Sequence, residues 1–475
     1  MVFSSIVFLL YFLPVFLTLY YFADKRFKNL IVLLASIFFY GWGAPLFVFV
    51  ILGTTFIDFH LVRWMHRAEG KMKKKLLLVL SVGMNLGLLF YFKYSFFVIE
   101  NINTLLNITG QKSIVWEKVV LPIGISFFTF ESLTYVIDVY RGVHAPLKKF
   151  WNYQLYIILF PKLIAGPIVR YHDIADQITH RFDKENIDSI LEGLYRFIIG
   201  LSKKVIIANA VAAYADEVFN ADMHMLSSGT VWIGVLCYTF QIYFDFSGYS
   251  DMAIGILKMI GFHIPENFNN PYTANSVTDF WRRWHISLGA WMRSYLYIPL
   301  GGNRVDNKWR LYFNLWVVFL ASGLWHGASW NFVIWGAYHG LWLVAERAFL
   351  SKLLEKIWHP VRVMLTFGAV LIGWVFFRAE TLNAALLCVQ KMFSFSTGTK
   401  VLPITPELIF YILLATFFSF ICISRTGQKI SAHFYFKHYS NRAVAGWGIT
   451  CLLLLIINIG MLAANGFNPF IYFRF

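Results

Sequence analysis

The sequence predicts an all-α polytopic membrane protein, and three observations carry that expectation. First, 58% of the 475 residues are hydrophobic and only 14% are charged, where soluble domains average about 25% charged; mean hydropathy is +0.60. Second, apolar runs of roughly 18 residues or more recur, the length at which one helix crosses a bilayer with every backbone group bonded internally. Third, the net charge of +16 comes from short Lys and Arg clusters between those runs, the distribution expected of cytoplasmic loops. The same distribution argues against nucleic-acid binding, which gathers charge on one face or stripe. The sequence does not show the alternation over about ten residues that marks a transmembrane barrel.

The elements follow in chain order. The N-terminal run MVFSSIVFLLYFLPVFLTLYYFA has no Lys or Arg ahead of its apolar core, unlike a signal peptide. It reads as a retained first span that starts outside and ends at the basic DKRFK. Residues 29–62 hold two apolar runs broken at Gly41–Pro45 and read as a helical hairpin. The basic stretch HRAEGKMKKK at 66–75 is assigned to a cytoplasmic loop, and a span from Leu76 to about Phe97 follows. The next span, LPIGISFFTFESLTYVIDVYRG, carries Glu131, Tyr135 and Asp138 on one helical face. Intramembrane carboxylates face a protein interior or a wet cavity; helix-to-helix bonding is the plainer use, a direct functional role the other.

Residues 151–174 are interrupted by Pro161, Gly166 and Pro167 and read as re-entrant or interfacial, which is permitted only where protein or water covers them. The polar stretch 171–190 suits a helix on the cytoplasmic surface. Spans at about 191–219 and 229–260 come next, the second with Asp245 and Asp251 at membrane depth. Residues 262–310 are basic and rich in Trp and Tyr, as in interfacial helices. Further spans are expected at about 309–331, 333–350, 360–378, 405–424 and 445–463. The total is about eleven spans, with both termini extracytoplasmic. Cys237, Cys388, Cys422 and Cys451 lie in apolar runs without a C-x-x-C pair and are expected to be buried thiols, with neither disulfide nor metal site.

Two histidines, 41 positions apart, stand out. His326 lies within an apolar run, in ASGLWHGASW. A buried imidazole stays neutral, and a neutral imidazole is a good base for a thiol, hydroxyl or phenol. Ser322, Gly323, Gly327, Ala328 and Ser329 leave room for a substrate or a neighbouring helix. Trp330, four positions on, is expected on the same helical face, walling a channel. His285 lies in FWRRWHISL, where arginines suited to phosphate alternate with large rings. The plainer readings are a structural histidine at 326 and an interfacial anchor with snorkelling arginines at 285. The separation is expected to place His285 near a membrane face and His326 near mid-membrane. The chain lacks the G-x-S-x-G, Walker, G-x-G-x-x-G and H-E-x-x-H patterns.

FWRRWHISLGAWMRSYLYIPLGGNR followed by SGLWHGASWNFVIWGAYHG resembles the membrane-bound O-acyltransferase (MBOAT) family, specifically its bacterial alginate and peptidoglycan acetylation branch. PENFNNPY and QIYFDFSGYSDMAIG support the match, which runs from about residue 120 to 345. The resemblance implies a single membrane-embedded domain over 1–475, with helices ringing a thinned central funnel and tunnel. It would comprise N-terminal helices at 1–119, a core at 120–345, C-terminal helices at 346–464 and an extracytoplasmic tail at 465–475. It also implies His326 as the catalytic histidine and His285 as the second family histidine on the cytoplasmic side. Arg282, Arg283, Trp284, Trp325, Trp330 and Asn331 would bind the donor or line the tunnel. The terminal FIYFRF is similar to an aromatic hexapeptide of related systems, which would make Tyr472 an acyl relay; an aromatic belt anchoring the last helix is the other reading.

The function implied is O-acetylation of an extracytoplasmic polysaccharide from the bacterial inner membrane. Acetyl-CoA would be the cytoplasmic donor, with no bound cofactor, and an extracytoplasmic partner acyltransferase would complete the transfer. The alternatives are D-alanyl transfer from a carrier protein to teichoic acid, a transporter or flippase using Glu131, Asp138, Asp245 and Asp251 as a polar path, and a scaffold without chemistry.

Overall fold

An apolar surround offers the backbone no water to bond, and the chain responds with helices; among the described residues there is no β-sheet, only two isolated bridges. In this computed structural model, residues 1–400, 402–429, 441–464 and 470–471 are described. Six helical stretches among them are long and apolar enough to cross a membrane: Pro45–Arg67, Lys71–Ile108, Ile187–Asn220, His359–Arg378, Pro406–Ile423 and Val444–Ala464. Phe8–Phe22 is a shorter apolar helix. Six is fewer than the expected total, and Ser228–Met259 accounts for one of the missing spans. This 32-residue helix fills the expected span at 229–260 but carries Gln241, Asp245 and Asp251, and every residue from 237 to 257 is buried. A helix walled by protein can hold charge that lipid would reject.

The expected hairpin at 29–62 is formed by Lys25–Gly43 and Pro45–Arg67, with Pro45 at the first helical position. The basic stretch after it is mostly helix rather than loop, because the next helix already begins at Lys71; lysine is a good helix former, and charge alone does not unwind a helix end.

The chain divides into two compact units, Met1–Leu194 with Ala253–Pro265, and Tyr195–Met252 with Glu266–Phe475. In the first unit the interrupted segment is covered by protein, as its backbone requires: residues 152–169 are buried without a break. Helix Phe150–Ile158 gives way to the single turn Phe160–Leu163. The Phe160 amide donates to Ser36 Oγ at 3.1 Å, and the fully buried Lys162 pairs with Glu131. Asp138 Oδ2 lies 2.7 Å from His172 Nδ1, and Tyr135, between the two carboxylates, stacks on Tyr153 at 4.2 Å. The shared face is therefore used for bonding between segments.

The expected surface helix at 171–190 is not formed. The stretch holds one helical turn, Tyr171–Ile174, one 3-10 turn, Phe182–Lys184, and at its end the first turn of helix Ile187–Ser202. Two of its polar side chains reach inward: the buried Arg181 donates to the Ile260 carbonyl at 3.0 Å, and Glu185 pairs with Lys28 and accepts from Tyr20 Oη at 2.5 Å. Four cysteines, Cys237, Cys388, Cys422 and Cys451, are buried and free.

In the second unit, Gly200 and Gly248 bring two helices into backbone contact, since a Cβ on Gly200 would lie 2.5 Å from the Gly248 carbonyl oxygen. That approach sets Lys203 2.6 Å from Asp251 and Lys204 2.7 Å from Asp245. Helices Lys308–His326 and Trp330–Ala345 form a second close pair. A Cβ on Gly323 would meet the Phe332 carbonyl oxygen at 2.2 Å, and one on Gly336 the Phe319 carbonyl oxygen at 2.4 Å. The small residues around His326 thus admit a neighbouring helix, one of the two occupants expected from the sequence.

Candidate active site

The site is built on the short helix Val277–Arg283. Its N-cap, Ser276, accepts from the Asp279 amide at 3.0 Å. Its first two amides, Val277 and Thr278, donate to the two oxygens of the buried Glu346 at 2.7 and 2.8 Å. A carboxylate there satisfies donors that a helix start leaves unbonded and meets the positive end of its dipole. Glu346 directly follows helix Trp330–Ala345, so this contact ties the FWRRWH segment to the glycine-packed hairpin. Trp281 extends the tie, meeting Phe319, Trp335 and His339 edge-on at 5.3, 5.4 and 4.9 Å.

His285 lies between that helix and Ile286–Met292, in the left-handed region at φ 47° and ψ 53°. A non-glycine residue costs about 1–2 kcal/mol there, so surrounding bonds have to hold it. The Ile286 amide donates to the Asn267 carbonyl at 3.0 Å. Asn267 Oδ1 accepts from the Ser287 amide at 3.3 Å and from Ser287 Oγ at 2.8 Å, and lies 3.0 Å from His285 Nδ1. A backbone N–H can only donate, which fixes the amide oxygen on this side and the hydrogen on His285 Nδ1. Nε2 is left with its lone pair, buried and without a partner among the described residues. Burial pushes the imidazole down to about 3, so the ring is neutral near pH 7.

His326 is the last residue of its helix, followed by Gly327 in extended conformation. Its ring packs against Trp335 at 5.2 Å, Phe377 at 5.0 Å and Trp325 at 4.9 Å. Trp325 in turn faces His285 at 6.0 Å. One indole therefore contacts both imidazoles. The two histidines are neighbours across a single side chain.

The other expected residues are distributed unevenly. Trp284 is buried in an aromatic cluster with Phe280, Phe268 and Trp374. Arg283 Nε bonds Asp279 at 3.0 Å, whereas Arg282 is exposed. Asn331 Nδ2 donates to the Ala379 carbonyl at 2.5 Å. Trp330 does not share a helical face with His326, because the helix stops at His326 and Trp330 opens the next one, 52% exposed. Tyr472 lies outside the described residues. A mostly apolar cavity of about 800 Å³ in this unit reaches Lys203, Tyr243, Asn270 and Trp447, and Tyr243 also stands 6.1 Å from Trp284.

Four residues of the site went unassigned in the sequence. Asn267 lies in PENFNNPY, a recognisable motif with no evident role. Ser287 and Glu346 give no pattern of their own. His339, buried between Trp281 and Trp335, reads in sequence as one more residue of an apolar run.

Residues 143–377, which include His285, Trp325 and His326, match the model of the membrane-bound O-acyltransferase family. The chain is 46% identical to the probable alginate O-acetylase AlgI of Pseudomonas aeruginosa, over 84% of this chain and 76% of that one. It is 40% identical to the protein of the same name from Azotobacter vinelandii, over the whole of both chains. It is 36% identical to the peptidoglycan O-acetyltransferase of Helicobacter pylori, over 82% of this chain and 80% of that one. Identity at this level over most of each chain, with both histidines inside the matched residues, makes the chain an acyltransferase that belongs to the membrane-bound O-acyltransferase family.

Proposed function

We propose that this acyltransferase moves acetyl groups from cytoplasmic acetyl-CoA across the bacterial inner membrane for O-acetylation of an extracytoplasmic polysaccharide. The names of the relatives support the chemistry and the acceptor class. The observation that carries the reading is the Trp325 indole between two imidazoles, one of them with Nδ1 bound to Asn267 and Nε2 presenting its lone pair. Coenzyme A is too highly charged to cross a bilayer, whereas an acetyl group is small, so moving only the acyl group solves the transport problem.

His326 serves as general base. It takes the proton of an acceptor hydroxyl as that oxygen attacks the thioester carbonyl; the carbon–sulfur bond breaks and the departing thiolate recovers the proton. Tyr472 is the first acceptor and carries the acetyl group as a phenyl ester. A partner acyltransferase outside then passes it to sugar hydroxyls and restores the phenol. His285 orients the donor through its neutral ring, and the exposed Arg282 supplies charge for the donor's phosphates.

The test uses membranes supplied with radiolabelled acetyl-CoA. His326→Ala should lower label transfer to polymer by roughly 10²–10⁴-fold at unchanged protein level. Full transfer by that variant would remove His326 from the chemistry, and strict dependence on an acyl carrier protein would replace the acetyl-CoA donor with the D-alanyl alternative.

A further inference from the structure

Residues 470 and 471 are seated in the second unit at a defined place. Asp245 lies in the continuously buried part of helix Ser228–Met259 and is 1% exposed. Lys204 Nζ lies 2.7 Å from its Oδ1. Its other oxygen, Oδ2, accepts the backbone N–H of Ile471 at 2.9 Å. One helical turn further on, the Tyr249 ring stacks on Phe470, with centroids 4.9 Å apart and an interplanar angle of 28°. Phe470 and Ile471 are 5% and 3% exposed, so the segment is inside the protein at this point.

The two sides of this contact need each other. A buried carboxylate is tolerated when paired and when its remaining lone pairs are satisfied. A buried backbone N–H likewise requires an acceptor. Lys204 answers the charge of Asp245, and Ile471 answers its second oxygen. The bond uses main chain, so it fixes the position of residue 471 whatever its side chain, while the ring stack selects an aromatic residue at 470.

We infer that Asp245, held by Lys204, and Tyr249 form a receptor for the C-terminal aromatic segment of this same chain. This makes Asp245 a positioning residue for acyl transfer, a role that rests on Tyr472 as the acyl carrier. Tyr472 directly follows this anchor in the sequence. The buried Asp245 thus has a use in group transfer that involves no ion or solute path.

The test replaces Phe470 with a benzophenone-bearing phenylalanine analogue in the full-length protein in membranes and reads the photo-crosslinked peptide. Crosslinking should map to the Asp245–Tyr249 stretch. Adding Ile471→Pro, which removes the donor N–H, should lower the yield at least about tenfold, the value of one hydrogen bond to a charged group. Ile471→Val should keep the yield, and Asp245→Ala should lower it as Ile471→Pro does. In the native background, Ile471→Pro should reduce kcat for polymer acetylation and leave KM for acetyl-CoA unchanged.

Crosslinking to another part of the chain, or an undiminished yield with Ile471→Pro, would overturn the receptor. Unchanged kcat in that variant would overturn the positioning role. His326→Ala should keep the crosslink, so loss of the proposed chemistry and loss of docking are read separately.

Discussion

One amide governs how His285 meets its surroundings. Asn267 binds Nδ1 across 18 residues of chain, and the other ring contacts are Ser287, Phe246 and Trp325, none of them charged. Burial therefore acts unopposed and lowers the ring from its ordinary 6.5 to about 3. Between those values the unfolded chain binds more protons than the folded one. Stability contributed by the neutral ring is thus complete above about pH 6.5 and is lost as pH falls toward 3, at up to about 1.4 kcal/mol per pH unit. His285→Gln removes the titration, so the drop in thermal midpoint from pH 7 to pH 5 in detergent should be smaller in the variant than in the native protein; equal drops would show that the ring is not held neutral. At this scale the sequence was partly legible. Local setting was enough to single out both histidines, but their common neighbour Trp325 and the Asn267 bond depend on tertiary contacts that neither spacing nor composition encodes.

Among the elements, the hairpin of Lys308–His326 and Trp330–Ala345 has little slack. Gly323 lies three residues before His326, and its missing Cβ is what lets the Phe332 carbonyl approach. Gly323→Ala should destabilise the protein by about 1–3 kcal/mol through overpacking and lower acetylation by displacing the helix end that carries His326. Gly368→Ala is the contrasting substitution: it lies within helix His359–Arg378 with nothing within 4 Å of the added carbon, and should be neutral or stabilising by up to about 1 kcal/mol. Thermal midpoints of the two variants check both. The stop at His326 left a mark in the sequence that the apolar run obscured. Gly327 is a common residue just past a helix and Ser329 a common one just before the next, yet hydrophobicity alone joins 309–331 into one span and puts Trp330 on the wrong helix.

Taken as a whole, the molecule pairs the carboxylates that a polar transport path would need. Glu131 meets Lys162, Asp138 meets His172, Asp245 meets Lys204, and Asp251 meets Arg196 and Lys203. Removing one member of a buried pair strands the other, so Glu131→Gln or Lys162→Met alone should destabilise by about 3–5 kcal/mol, while Glu131→Leu combined with Lys162→Met should recover much of the loss. Thermal unfolding in detergent measures this, and neutral single variants would show that the pair contributes nothing. Composition made the helical membrane class legible, because lipid imposes it. The number of spans was less legible, because a helix enclosed by protein is released from that demand. The partner of each carboxylate was not legible at all; Lys162 sits in a broken segment 31 residues from Glu131. The first unit is also discontinuous, since Ala253–Pro265 completes what Met1–Leu194 begins. Tyr20 and Arg181 both bond the Ile260 carbonyl, and Tyr21 bonds that of Met259. During synthesis, then, the earliest helices emerge from the ribosome well before their last acceptors exist. The Tyr20 and Tyr21 hydroxyls precede these acceptors by 240 and 238 residues of translation and the Arg181 guanidinium by 79, which makes the order of manufacture as much a part of this fold as its geometry.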